Sequence, residues 1–413
     1  MKVLLITEDV PSQHLGGAGK HAVLLGNALI EAGYEVELLG LGIDSANQVI
    51  ALGDGNGFLG KLHLGIDISG TGLKSVAMGI FFPLRGMFVA WRIWQAVKRL
   101  DYSAYDVIHY HGHVAELGIF VPKRINYVHT LHDQGSECMT MMRFKNGAPC
   151  QSASAFDCAA CATKNKPNFL QKIISATAVK LHRYLSRKAF TKHKAIFVSE
   201  FVMRRFKEVL GNAEHINATV IHNFTDAYAM QRLIKQIPIV LEKNTCPVVL
   251  IAGRVHSTKG QGALLDAIPD NLLKQIEVRI AGDGPDLIAL KEKHEKRGVV
   301  FLGWLSQQDV YKQTMLADAC VVPSIWEEPF GATSLEAIVL GKVVFALNRG
   351  GTPELTRYSQ YPNQLRLFDD IASMLLALTL IDYVALPYDV SLQADVTARL
   401  PEILQVYSAS VVA

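Results

Sequence analysis

Short unbroken runs of apolar residues alternate along this chain with stretches in which apolar positions recur every three or four residues. Val3 to Ile6 is the first run and reads as a buried strand. A helix is predicted from about His21 to Ala32, closed by Gly33, and Tyr34 to Leu39 is the next strand. Strand, helix and strand in that order start a parallel sheet. Further strands are predicted from Asp106 to His109, from Asn126 toward His132, from Lys194 to Ser199 and at Val220. Residues 42 to 75 lack clear periodicity and read as a long excursion, and Met87 to Leu100 reads as an amphipathic helix carrying Phe88, Trp91 and Trp94.

The alternation resumes at Val248–Ala252, Glu277–Ala281, Val299–Gly303 and Ala319–Val322, and again from Gly341 to Ala346. Ser306 and Asp309 have the spacing of a helix cap, and from Thr333 the residues Leu335, Ile338 and Val339 fall at helical spacing. The expected fold class is α/β with two Rossmann-like, doubly wound domains. The first domain spans 1–225 and contains a Cys-rich loop at 134–165; the second spans 226–390 with 226–246 as its linker; residues 391–413 form a C-terminal helix.

Length and composition fit that picture. At 413 residues, half of them hydrophobic, the chain can build two sizeable cores. A net charge of +3 gives no strong field of the kind nucleic-acid binding needs. The run Val3–Ile6 stops at Glu8-Asp9, too early for a signal peptide, and no apolar run reaches the ~18 residues of a spanning helix. A cytoplasmic protein is expected, in which the six cysteines are not disulfides.

Candidate chemistry concentrates at predicted strand ends, where ligands of such sheets gather. After Val322 come Glu328-Pro-Phe-Gly331 and then Glu336 inside a helix. Gly331 lets a ligand approach the backbone, the free N–H groups of the helix start suit a phosphate, and both carboxylates can accept bonds from sugar hydroxyls. Arg254 and Lys259 straddle the loop after Ala252, two cations placed for a diphosphate, and Gly282 and Gly284 open the loop after Ala281. In the first half, Gly16-Gly17-Ala-Gly19-Lys20 cannot be a P-loop, because His14 and His21 stand where Gly and Ser or Thr are needed. Gly17-Ala-Gly19-Lys-His-Ala22 does fit a dinucleotide fingerprint, although a long loop separates it from the strand. His132 and Asp133 end one strand, with His129 as the neighbouring alternative. His109, His111 and His113 alternate, as metal ligands on one strand face would, but Gly112 argues that the strand has ended there.

Two features leave alternatives open. Cys138, Cys150, Cys158 and Cys161 suit a structural zinc, less well an iron–sulfur cluster, or are free thiols. The basic stretches around Arg85–Arg99 and Lys180–Lys194 read either as packing helices with a solvated side or as faces for anionic membrane lipids or a pyrophosphate-linked acceptor.

The Glu328-Pro-Phe-Gly331 and Glu336 string, with Arg254 and Lys259, resembles the signature of the retaining family-4 glycosyltransferases of the GT-B fold, in which two Rossmann-like domains face a cleft. The resemblance implies that Glu328 and His132 meet the transferred sugar. Phe330 and Gly331 would present backbone amides to it, and Glu336 would bind the ribose. Arg254 and Lys259 would hold the diphosphate. Gly17, with Gly16, would lie near donor or acceptor, Gly282 on the donor side. It further implies retention of configuration, no catalytic metal, a nucleotide-diphosphate sugar donor on the second domain and a saccharide or lipid-linked acceptor on the first. The terminal helix would cross back onto the first domain. A subset of bacterial members that build surface polysaccharides carries similar cysteines, which fits a cytoplasmic enzyme peripheral at the inner membrane face. The rival readings are an NAD-linked oxidoreductase using Gly17 and Gly19, and a non-catalytic sugar-binding relative.

Overall fold

The computed structural model describes residues 1–10, 16–41, 57–65, 79–162, 168–211, 216–236, 246–379 and 390–409. Its strands, in chain order, are β1 (Lys2–Thr7), β2 (Glu35–Gly40), β3 (Lys61–Leu64), β4 (Val107–His111), β5 (Tyr127–Leu131), the small hairpin β6 (Phe144–Lys145) and β7 (Ala148–Pro149), then β8 (Lys194–Phe197) and β9 (Ala218–Val220). The second half contributes β10 (Val248–Ala252), β11 (Glu277–Ala281), β12 (Val300–Gly303), β13 (Ala319–Val322), β14 (Val343–Leu347) and β15 (Leu365–Phe368).

The chain divides into two compact units. One holds Met1–Arg143, Cys150–Asn223 and Arg399–Ala413; the other holds Phe144–Pro149 and Phe224–Ala398. The first has a seven-stranded parallel sheet in the order β3-β2-β1-β4-β5-β8-β9. The second has a six-stranded parallel sheet in the order β12-β11-β10-β13-β14-β15. Each sheet winds outward one way, returns, and continues the other way. The strand order therefore reverses between β1 and β4 in one and between β10 and β13 in the other, and such reversals are where α/β sheets hold ligands.

The unbroken apolar runs are explained by burial on both sheet faces. Val3, Leu4, Leu5 and Ile6 are fully buried, in register with Val36–Leu39 on one side and Val107–Tyr110 on the other. Each such side chain contributes about 1.5–3 kcal/mol. Val249, Ile251, Val278, Ile280 and Val321 do the same work in the second unit, under Leu264, Leu265 and Met374.

The structure departs from the sequence pattern in four places. The first helix is Gly17–Glu31 and starts four residues before His21. Three glycine or alanine positions hide it from periodicity, and the Asp9 carboxylate accepts the Gly19 N–H, supplying from outside the bond that a capping side chain would give. β3 interrupts the excursion expected over 42–75, pairing Glu37–Gly40 with Lys61–Leu64; residues 42–56 and 66–75 lie outside the described ones. Ala227–Gln236 is a helix rather than linker, its first N–H groups taken by Asp395. β4 runs through His111, so the strand ends two residues later than the pattern suggested, just before Gly112.

Candidate functional site

In the second unit the loops after β10 and β13 meet. Gly260 has φ +74, and a Cβ there would stand 1.9 Å from the Pro323 carbonyl oxygen. Only glycine permits that approach. It puts Lys259 Nζ 2.6 Å from Glu328 Oε1, while Ser324 Oγ donates to the same oxygen at 2.5 Å. Glu328 is buried. Burial alone would raise its pKa, but Lys259 and the bonds from Lys259 and Ser324 outweigh this and hold the carboxyl below its ordinary value. It is therefore ionised at neutral pH.

Beyond it the chain turns through Gly331, at φ +94, into the helix Ala332–Val339, whose N-terminus carries no side-chain cap. Phe330 is buried, which fixes the backbone leading into that turn. Glu336 lies on the second turn, half-buried, with Oε1 accepting from Gln307 Nε2 at 3.1 Å. Arg254 is exposed on the loop after β10, and its carbonyl is held by Gln261 Nε2 at 2.9 Å. Gly282 follows β11, with its Cβ direction 1.9 Å from the Gly253 oxygen, so these two loops also touch. Lys259 and Glu328 are thus in direct contact, and Arg254, Gly282, Gly331 and Glu336 occupy the carboxyl-end loops and helix of the same sheet. Ser324 and Gln307 were missed in the sequence; both are polar residues near strand ends, which was the available signal.

In the first unit the equivalent corner is built from histidines. Gly17 opens the first helix with free space around it. His132 follows β5 and is partly exposed. Its Nε2 lies 3.2 Å from His111 Nδ1, and the His21 ring meets it edge-on at 4.7 Å. Burial pushes His132 down to about 3, with His129 and His113 adding to this and Asp133 opposing it. His21 and His111 are likewise held neutral by burial. The ligand atoms of His21, His111 and His132 all lie within 4.8 Å of one another. That is a different set from His109, His111 and His113. His109 is instead occupied by Tyr407 Oη and Thr130 Oγ1, each at 2.7 Å, and buried His129 donates from Nε2 to the Gly112 carbonyl at 2.9 Å.

His113 points the other way. Its Nε2 is 2.9 Å from Glu8 and its Nδ1 3.0 Å from Asp133. Glu8 above all raises its pKa well above the usual value, so this ring is charged. Glu8, Asp9 and His113 line a cavity of about 420 Å³ together with Phe82, Met139 and Met141. Glu8 and Asp9 went unread in the sequence although they close β1, the position the strand-end rule marks.

The four clustered cysteines all fall in the first unit and are half-buried. Cys158 has its thiol pushed up by burial, against the pull of Arg183. The lone Cys320 is buried, as expected of an ordinary core position.

Similarity to known proteins follows the same division. An uncharacterized glycosyltransferase of Methanocaldococcus jannaschii is 23% identical over 374 residues, covering 87% of this chain and 83% of the relative. Spore coat protein SA of Bacillus subtilis is 29% identical over 120 residues, and the match spans about a third of that protein (32%) and 26% of this chain. Among solved structures, Anabaena HepE in complex with UDP and glucose superposes with a TM-score of 0.60 at 19% identity, covering 99% of this chain and all of that one (100%), a likeness of fold. The family described as "Glycosyl transferases group 1" matches residues 233–361 and the one described as "Glycosyltransferase Family 4" matches residues 15–228. The second match alone covers more than half of the sequence, so the chain belongs to that glycosyltransferase family and has its GT-B fold.

Proposed function

We propose that this enzyme moves a sugar from a nucleoside-diphosphate sugar, held by the second unit, to a saccharide or lipid-linked acceptor held by the first, with retention of configuration and without a catalytic metal, in polysaccharide biosynthesis. The observation that carries the reading is the Lys259–Glu328 contact of 2.6 Å at the point where strand order reverses. A leaving diphosphate gains charge as the glycosidic bond breaks, and fixed cations and helix N–H groups stabilise that charge best in a partly dry site. Lys259, Arg254 and the uncapped start of Ala332–Val339 supply them. Glu336, steadied by Gln307, accepts from ribose hydroxyls. Glu328 stays ionised and accepts from the sugar, and in the first unit the neutral His132 exchanges a hydrogen bond with it. The GT-B neighbour HepE, solved with UDP and with UDP-glucose, supports a donor of this class.

An oxidoreductase reading loses support from Asp9, whose carboxylate already sits on the Gly19 N–H at 3.3 Å, where a dinucleotide pyrophosphate would be needed. Thermal shift of the full chain with UDP, GDP and ADP tests the choice. Stabilisation by a diphosphate nucleotide is expected, at about 2.7 kcal/mol for a hundredfold excess over Kd. Saturable NAD(H) binding with no response to any diphosphate would refute it.

Peripheral membrane contact is part of the same reading. Among the described residues no helix is long and apolar enough to cross a membrane. The helix Arg85–Lys98 buries Val89, Ile93 and Trp94 but leaves Phe88 and Trp91 exposed between Arg85 and Arg92. The helix Phe169–Lys192 exposes Phe169, Leu170 and Ile173 beside Lys172. Flotation with vesicles containing anionic lipid, and not with neutral ones, is the expected outcome.

A further inference from the structure

The clustered cysteines are the one motif in the sequence that sugar transfer leaves unused. Cys138 follows β5 in a turn where its N–H donates to the Gln134 carbonyl at 2.9 Å. Beyond the β6–β7 hairpin comes Cys150, whose N–H donates to the Arg143 carbonyl at 2.5 Å. Cys158 and Cys161 are three residues apart on the helix Ala155–Ala162, and therefore on one face of it.

The apolar core beneath this segment is small. The local core has Met139 and Val179 as its buried members, with Phe82, Ala155 and Cys158 packed against them. Yet Met141, Arg143 and Asn146 all have positive φ, at 64°, 44° and 53°; among the described residues Asn363 is the one other non-glycine so strained. The left-handed region is unfavourable for a residue with a Cβ, least so for asparagine. Such a backbone persists only where its surroundings over-determine it, and here Arg143 Nε and Nη2 donate to the Cys150 carbonyl at 3.3 and 3.2 Å across the hairpin. Arg183 reaches in from the helix Phe169–Lys192. It donates to the carbonyls of Glu137 at 3.2 Å and Ala153 at 2.6 Å, and its Nη2 stands 3.2 Å from Cys158 Sγ.

We propose that Cys138, Cys150, Cys158 and Cys161 bind one Zn²⁺ as a structural centre that fixes this segment. Four sulfur donors, two of them a Cys-x-x-Cys pair, make a closed tetrahedral set with Zn–S bonds of about 2.3 Å. Among the described residues no three of these sulfurs lie within 4.8 Å of one another, so binding draws the Cys138 turn and Cys150 in toward the helical pair. Each thiol gives its proton to solvent as its sulfur takes up the ion, leaving a tetrathiolate of net charge −2. The Arg183 guanidinium on Cys158 offsets part of that charge.

The centre also has a place in the enzyme. Gly135, Cys138, Met139 and Met141 line the cavity of about 420 Å³ to which Glu8 and His113 also contribute. Zinc therefore shapes a cavity of the unit assigned above to the acceptor. This consequence rests on that assignment; the metal content does not.

The test is elemental analysis of full-length protein purified without chelator. About one equivalent of zinc per chain is expected, lost in Cys158→Ser and Cys161→Ser and kept in Cys246→Ser. Should the serine variants fail to fold, the wild type decides. A mercurial reagent should then release the zinc to a colorimetric dye, and cobalt in its place should give a sulfur-to-cobalt charge-transfer band. Less than about half an equivalent in folded protein that still binds a diphosphate nucleotide, or iron instead of zinc, would overturn the site. If zinc is present, its removal should raise the acceptor KM several-fold and leave donor binding unchanged. An unchanged acceptor KM would overturn the link to the cavity while the metal site stands.

Discussion

Two parallel sheets of the same winding put opposite chemistry at their reversal points. Between β10 and β13 the chain gathers formal charge: Lys259 against an ionised Glu328, with an uncapped helix start nearby. Between β1 and β4 it gathers, beside the Glu8–His113 ion pair, three neutral rings: His21, His111 and His132, all held below the usual histidine range by burial. In the proposed function the first corner meets a group that becomes more negative as it leaves, and the second exchanges hydrogen bonds with neutral hydroxyls. The same fold position thus carries different work, and the loops decide which.

Removing charge from the first of these corners should have the largest effect. Lys259→Ala takes away a cation aimed at developing charge and also strips the buried Glu328 of its partner. A fall in kcat of about 10²–10³ is expected, against a much smaller change in acceptor KM, by steady-state assay with the donor identified in the binding screen. Equal kcat in the variant would leave the two corners without their proposed contrast.

The approach of the two loops can be broken separately. Gly260→Ala must push a Cβ into the Pro323 carbonyl, 1.9 Å away, at φ +74. Roughly 2–3 kcal/mol of stability should be lost on denaturant unfolding, together with diphosphate binding. A fully stable variant would mean that the loops are not held as close as described.

The histidine corner is sharpened by pH. Unfolded, His132 takes its proton near 6.5; folded, only at about 3. Between those values the unfolded chain binds more protons, so His132 makes stability fall as pH drops from 6.5 toward 3. His113 works in the opposite sense. Its folded pKa is raised, so its contribution is complete below 6.5 and is lost as pH rises through the folded value. Ring chemical shifts followed by NMR should show His132 not titrating between pH 7 and about 5 while His113 stays charged above pH 6.5. A His132 titration near 6.5 would place that ring in water.

Much of this was legible in the sequence. Buried parallel strands are apolar throughout, so β1, β10 and β13 announce themselves, and β3, with Lys61 and His63 breaking its four residues, does not. The strand-end rule found Lys259, Glu328 and His132. It could not give their partners, because Ser324, Gln307, His21 and His111 reach them by folding of separate elements rather than by spacing. The expected strand end at His109 hid the histidine cluster: taking β4 two residues further brings His111 into the strand, on the face that His132 shares. The helix at Gly17 was obscured for a related reason, since its capping carboxylate comes from Asp9 on the preceding strand's end and leaves no local signature.

The smallest effect belongs to a residue no motif marks. Gln307 Nε2 donates to Glu336 Oε1 at 3.1 Å, and Glu336 is the group assigned to the ribose. Gln307 touches no reacting atom in that assignment; it limits the rotamers from which Glu336 can accept. Losing one neutral-to-charged hydrogen bond of this kind costs about 1.5 kcal/mol or somewhat more in the folded chain, and only part of it reaches the donor complex. Gln307→Ala should therefore raise donor KM by about five- to tenfold at unchanged kcat, since ribose is held alike in ground and transition states. Gln307→Glu should do more, because it sets a second carboxylate against the first. A change in kcat with donor KM untouched would instead move Glu336 from the ribose toward the reacting sugar, and the division of labour within the charged corner would have to be redrawn.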